Sequence, residues 1–473
     1  MALVEVVVAV IDQNYNLLKP LMVAAFALPG MVQTVNAAEA EYVDFNSQFT
    51  RYEESGNRMK IDVYQASSLF KLTDQLTFKV NGVKDVISGA SPVTYTPDTG
   101  NPNESDNSTG LIPDSATTTP TAAPLPTIKN TKAILIKSGA SIRDVRDAVD
   151  ITGTYTHDHG SFDLGVGRSS ENDYQSNFFN IDSRLDLNNK LTTVETGYGF
   201  SSDTVWAIDH CPPHCLNSNS SSSNSLENIT PNNPSSANSI SPDTDPKGVY
   251  HRPNVGGDKS THQGILGVTQ IINKNSLMQA NLTYSYNEGY LSDPYKEVYT
   301  PWVTTPMPPY APTGGYSHDS RPSSRHQIAL LGRYVHHFAD LNAASVHIDY
   351  RFYIDNWGLD AHTFELTWLQ PIMDNWRLSP TFRYYSQNSA NFYQPYFLTP
   401  RADGYYSSDY RLAQFGAISG GVQLTREFFE TITVGLGINF YDRKQTYAFN
   451  NGIGTNADDF SFSMMTAKFN VKF

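Results

Sequence analysis

Thiols, imidazoles and carboxylates are the groups in this chain that could do chemistry, and they fall into few clusters. His210-Cys211-Pro212-Pro213-His214-Cys215 brings two thiols and two imidazoles together. Such a donor set could hold a soft metal. In a polar loop of an exported chain, a disulfide between Cys211 and Cys215, or two unpaired thiols, is the simpler expectation, and no metal is expected. The spacing does not suit covalent haem attachment. His157-Asp158-His159 could serve a metal or a general base, but a polar turn accounts for it. Asp243-Thr244-Asp245-Pro246-Lys247-Gly248 lacks the closing acid of a calcium loop, since position 254 is Asn. No G-x-S-x-G elbow, H-E-x-x-H pair, phosphate loop or dinucleotide fingerprint occurs. His326, His336, His337, His347 and His362 are available to a hydrolase at a barrel rim, but none sits in a local catalytic signature. The expectation is therefore no enzyme and no cofactor.

The remaining charged candidates gain meaning from the elements that carry them. Arg333, Asp349, Arg351, Glu365 and Arg383 lie in stretches that alternate strictly between apolar and polar residues. Val346, Ile348, Tyr350 and Phe352 alternate with His347, Asp349, Arg351 and Tyr353. Period-two alternation marks strands whose faces meet different surroundings. On neighbouring strands these five residues share the polar face. Facing an open lumen they would form a constriction that sets ion selectivity; in a filled interior they would form a cross-strand salt-bridge ladder.

The alternation recurs along the chain. It predicts strands near 42–52, 59–70, 76–88, 143–157, 160–170, 173–186, 190–204, 261–272, 275–290, 324–337, 342–354, 361–371, 375–389, 408–426, 430–446 and 459–473. These segments exceed the usual ~5–6 residues of a globular strand and suit a transmembrane β-barrel. Trp376 and Tyr384 test this, being on one face of one strand. At ~3.3 Å per residue and ~40° tilt they stand roughly 20 Å apart along the axis, one near each rim of an apolar band. The fold class is all-β, an antiparallel transmembrane barrel of about sixteen strands, or fourteen if the segments over 42–70 are not strands. Short turns at 71–75, 158–159, 188–189, 273–274, 338–341, 372–374 and 427–429 alternate with longer connections at 89–142, 205–260, 291–323, 390–407 and 447–458. Short periplasmic turns and long outer loops are the rule for such barrels, and an even count puts both ends in the periplasm.

Composition agrees. The 473 residues carry 33 basic and 47 acidic side chains, a formal charge of −14, which argues against nucleic acid. Charged residues are 17%, below the ~25% of soluble domains, while 28 Tyr and 24 Phe raise the aromatic share. Two Cys in the whole chain exclude a disulfide scaffold. Lys19, the apolar run 21–31 and the small residues Ala37 and Ala38 read as a secretory signal over 1–38, followed by a barrel over 39–473, although Glu5 and Asp12 fit a signal badly. Within the barrel, 92–130 is rich in Pro, Thr, Asn and Asp, and 212–258 contains a Ser-rich run and several Pro. Such compositions predict mobile outer-loop inserts.

Several stretches resemble an uncharacterised family of bacterial outer-membrane barrels defined only as a family of unknown function. They are 85–91, 168–174, 287–295, 349–362 (Asp-Tyr-Arg-Phe-Tyr-Ile-Asp-Asn-Trp-Gly-Leu-Asp-Ala-His) and 382–393 (Phe-Arg-Tyr-Tyr-Ser-Gln-Asn-Ser-Ala-Asn-Phe-Tyr). The resemblance covers nearly all of the mature chain, which departs from it by the two inserts. It implies the outer membrane of a Gram-negative bacterium, contact with outer-membrane lipid, and an envelope redox setting with a periplasmic redox or lipoprotein partner. It supplies no activity. The ending Phe469, Val471 and Phe473 is similar to the sorting signal of outer-membrane barrels, which implies delivery to the barrel-assembly machinery. All five stretches map to outer strand ends or outer loops. The 349–362 stretch passes over Asn356-Trp357-Gly358, which makes Asp355, Trp357, Asp360 and His362 candidates at the mouth. The functional expectation is a porin-like channel or envelope-system component. A closed barrel serving as scaffold or receptor for a periplasmic redox partner is the alternative, and a rim-located hydrolase a more distant one.

Overall fold

In the computed structural model, residues 43–57, 59–89, 93–97, 133–137, 142–210, 249–303, 315–429, 431–449 and 459–472 are described. The signal segment, Cys211, Cys215, Phe473, and the inserts over 98–130 and 212–248 lie outside them.

Twenty strands follow in chain order. They are β1 Val43–Glu54, β2 Met59–Lys71, β3 Leu76–Gly89, β4 Val93–Pro97, β5 Ala133–Lys137, β6 Ile142–His157 and β7 Gly160–Ser170. Next come β8 Tyr174–Leu187, β9 Thr192–His210, β10 Val249–Asn273, β11 Ser276–Gly289, β12 Glu297–Tyr299, β13 Tyr316–His318 and β14 Ser324–Phe338. The last are β15 Ala344–Asp355, β16 Asp360–Met373, β17 Trp376–Gln387, β18 Phe415–Phe428, β19 Ile432–Lys444 and β20 Phe460–Lys472. Sixteen of them close one antiparallel barrel in sequence order, with β20 pairing back on β1. The pairs β4–β5 and β12–β13 are small sheets apart from the wall.

Six of these elements depart from the sequence reading, β18 among them, which begins at Phe415 and not at 408. Residues 93–97, at the start of the first insert, pair with 133–137. Residues 249–258, at the end of the second, extend β10 far along β9, with a register shift between His251 and Gly256. The connection 291–323 contains the β12–β13 pair.

The two faces of the wall follow from residue type. Large apolar side chains such as Leu164, Val166, Leu266, Leu282, Leu330, Ile348, Leu366 and Leu436 are exposed all round the barrel. A hydrocarbon surround is where such a surface is stable, because the closed ladder leaves no backbone edge unpaired. Aromatic girdles bound the apolar band. At the outer end, Phe200, His262, Tyr286 and His326 run from strand to strand with centroids 4.9, 6.3 and 4.7 Å apart. At the other end stand Tyr334, His336, Phe338 and Trp368. His326 and His336 share one face of β14, and ten residues of tilted strand correspond to about 25 Å, a membrane's apolar thickness for such barrels. Trp376 opens β17 on the lipid side under Arg426, and Tyr384 lies at the outer end against Phe449. Turns at the Tyr334–Trp368 end are tight: Asn188 and Asn189 adopt φ of 53° and 54°, a region Asn tolerates.

Candidate lumen and mouth

Parity assigns the inward set. Lipid-facing Ile348, Tyr350 and Leu366 fix Asp349, Arg351 and Glu365 on the opposite face of β15 and β16. The cross-strand register adds Arg333 and Arg383. All five expected lumen residues therefore point inward. Arg333 grips Asp349 bidentately, with Nε donating to Oδ1 at 2.8 Å and Nη2 to Oδ2 at 2.6 Å. Glu365 stands across from both Asp349 and Arg383. Among the described residues no ion pair closes between Glu365 and Arg383, and Arg383 stays exposed to the lumen. The Arg333–Asp349 pair is one closed rung of such a ladder.

The opposite wall is acidic. Asp150, Asp163, Asp182 and Glu195 face inward on β6, β7, β8 and β9. Asn81 donates to Asp150 at 2.6 Å and Asn180 to Asp182 at 2.7 Å. In barrel order these strands lie nearly across from β14–β17. Sequence reasoning passed over this wall because its acids are scattered over four strands with glycines between.

At the mouth, Asp355 is the hub of the β15–β16 turn. Its carboxylate accepts from Arg325 Nη2 at 2.6 Å, Tyr353 Oη at 2.8 Å, and the Trp357 and Leu359 amides at 2.9 Å each. Trp357 is buried under the Arg325 guanidinium, 4.3 Å from its ring, and meets Phe392 edge-on. Gly358 completes the turn at φ 90°, where a side chain would be strained. Asp360 bonds Asn388 through side chains and backbone. These three brace the turn against the 388–414 connection. His362 is separated from them on the lipid face, where its Nδ1 meets Tyr350 Oη at 2.9 Å. His326 and His262 make the same contact, with Tyr284 and Tyr198. The turn at His157-Asp158-His159 is a polar turn, with the His159 amide donating to His157 Nδ1.

A folded cap at the mouth was read from sequence as loops, except 408–414, which was read as the start of the strand that begins at Phe415. Residues 290–303, 315–323 and 388–414 pack together: Ser320 bridges Tyr406, and the Phe397 amide donates to the Tyr299 carbonyl at 3.1 Å. Ion pairs run Asp293–Arg411 at 2.6 Å, Arg411–Asp409 at 2.6 Å, Asp409–Arg321 at 2.8 Å and Arg321–Asp319 at 2.5 Å. Burial alone would raise the Asp409 pKa, but Arg411, Arg321 and Lys296 outweigh it and hold the carboxyl well below its usual range. Burial dominates at Asp319 and raises it, and at Lys296 it lowers the ammonium. Tyr290 is pushed up to about 12 by burial beside Asp293 and Asp319. From this lobe Tyr295 donates to Asp173 at 2.6 Å, in the short connection between β7 and β8. The cap thus joins its roots at β11, β14, β17 and β18 to the β7–β8 connection.

A family described as "Protein of unknown function (DUF3570)" matches residues 18–464. Comparison with curated proteins gives no match. Among solved structures, a "Bacterial polysaccharide outer membrane secretin" aligns at 7% identity and TM-score 0.42, over 90% of this chain and 97% of that one. CdiB from Acinetobacter baumannii aligns at 6% and 0.44, over 91% of this chain and 60% of its own length. The CymD monoaromatic hydrocarbon channel aligns at 8% and 0.35, over 92% and 89%. Likeness at this level concerns barrel shape and says nothing of substrate.

Proposed function

We propose that this chain, which belongs to the family of unknown function DUF3570, forms a water-filled channel for small hydrophilic solutes in the outer membrane of a Gram-negative bacterium. The observation that carries this reading is the lumen wall. A closed barrel of sixteen strands is wide enough for an aqueous passage. Many of its inward side chains are amides, hydroxyls and charges, and Arg383 and Lys468 remain exposed within it. A dry interior would penalise both cations heavily. No catalysis is assigned: His326 and His362, the rim histidines nearest the mouth, are engaged by tyrosine hydroxyls on the lipid face.

Purified, heat-modifiable barrel inserted into a planar bilayer should give discrete, ohmic conductance steps. Silent insertion, verified by protease protection, would leave the alternative of a closed scaffold or receptor for a periplasmic redox partner. The Arg333–Asp349 rung and the cap are the features that favour that second reading.

A further inference from the structure

We infer that the inner wall from β17 round to β1 is a binding track for neutral saccharides. The inference rests on the channel reading for solute entry, but the track itself stands on separate observations. The first is a run of aromatic rings on the wrong face for a lipid girdle. Tyr52, Phe462, Tyr441 and Phe460 have inward parity, opposite to lipid-facing Phe440 and Met465. Their centroids follow one another at 4.6 Å from Tyr52 to Phe462, 4.5 Å with 15° between planes from Phe462 to Tyr441, and 5.8 Å from Tyr441 to Phe460. Tyr410 of the cap continues the run 5.9 Å beyond Phe460. Arg443, 2% exposed, sits against the Tyr410, Phe415 and Phe460 rings at 4.6, 4.9 and 4.3 Å. Rings inside an aqueous passage expose apolar faces to water. The C–H face of a pyranose is a planar apolar surface that such rings can cover while its hydroxyls stay free.

The second observation lies deeper on the same strands. A cavity of about 150 Å³ is lined by Gln48, Thr381, Gln423, Asn439, Thr466 and Lys468. It holds on the order of ten waters, enough room for one sugar ring. Amides and hydroxyls each donate and accept, which matches a sugar hydroxyl better than it matches an ion. Gly421 leaves the space for this, since a Cβ there would fall 1.9 Å from Asn439 Oδ1. The inward face of β18 from Phe415 to Thr425 carries no charge, and Lys468 donates to Gln423 Oε1 at 3.1 Å. A stacking platform above an amide and hydroxyl pocket, whose one cation is engaged by Gln423, selects a hydroxyl-rich, flat-faced solute.

The test uses the full-length refolded barrel with maltohexaose and chitohexaose as probes and polyethylene glycol of similar mass as the ringless control. At least one hexasaccharide should interrupt the bilayer current reversibly and give a saturating calorimetric isotherm in detergent, whereas the glycol should do neither. Tyr441→Ala combined with Phe462→Ala should weaken half-saturation at least tenfold, as should Gln423→Leu, while Tyr441→Phe keeps the ring and the affinity. Heat-modifiable migration confirms that each variant is folded. Should the double alanine variant not fold, Gln423→Leu and Tyr441→Phe decide alone. Robust current with neither interruption nor isotherm for either sugar overturns the track and leaves the channel standing. An isotherm without current overturns the channel and leaves the track as a receptor site. Unaltered affinity in folded Gln423→Leu and in the folded double variant overturns the assignment to these residues.

Discussion

Arg321 shows what a single side chain can hold. Its guanidinium lies between Asp319 and Asp409, both almost fully buried. Replacing it, as in Arg321→Met, takes the cation from buried Asp319 and leaves Asp409 to Arg411 alone among its ion pairs, and losing one member of a buried pair costs roughly 3–5 kcal/mol. The loss should be local. Amide exchange across 290–323 should speed up while the barrel keeps its heat-modifiable migration; unchanged protection would mean that Arg411 alone suffices. The pH dependence has a defined sign. Asp409 is held below the ordinary carboxylate pKa, so its contribution is complete above about 3.9 and is lost as pH falls through and below that value. Asp319 is raised by burial, so its protonation has the opposite sign and offsets part of that loss. Cap protection should be level at neutral pH and decline toward pH 3 only by what the Asp409 contribution exceeds the Asp319 offset. At this scale the sequence exposes parity but not partnership. Asp349 and Arg351 were both readable as inward, yet Asp349 pairs with Arg333 on the preceding strand, a choice made by register and reach.

At the scale of elements, the strands were legible because two solvents act on each of them. Lipid outside and water inside dictate side-chain type at every second residue, and the observed bounds follow the predicted ones within a few positions over most of the wall. Legibility ends where a strand leaves the membrane. Residues 249–251 and 256–258 pair with β9, but His251, Asn254 and Asp258 give the sequence no apolar alternation to betray the strand. The cap was invisible for a related reason: it is held by pairwise ion contacts and aromatic packing, and neither has a period. The last strand is the element whose prediction is sharpest. Phe469 and Val471 share the lipid side of β20, which closes the barrel on β1. Deleting Phe473, or replacing Phe469 and Val471 by Ser, should slow closure by the barrel-assembly machinery and leave unfolded chain in the periplasm. Unchanged amounts of heat-modifiable barrel in outer-membrane fractions would show that the signal lies elsewhere.

Over the whole molecule, charge is arranged rather than merely acidic. Asp150, Asp163, Asp182 and Glu195 occupy one side of the lumen, and Arg333, Arg351 and Arg383 occupy the strands nearly opposite. An ion in transit therefore sees a field across the pore, and the two walls can be altered separately. Replacing Arg351 and Arg383 by Gln leaves the Arg333–Asp349 pair intact, so stability should change little while the acidic wall loses its counterweight. At ~10 Å in water each charge contributes about 0.4 kcal/mol, and removing two should raise cation occupancy roughly fourfold and lower anion occupancy by a like factor at low salt, less at high salt. Asp182→Asn with Glu195→Gln should move the reversal potential in the opposite direction. Reversal potentials under a tenfold KCl gradient, with melting curves on the same preparations, distinguish the outcomes. A shift of opposite sign in the two variants, at constant stability, is what a water-filled lumen requires. Loss of heat stability without any change in potential would instead mean that these arginines fill a closed interior, where their charge is compensated by packing and not by water.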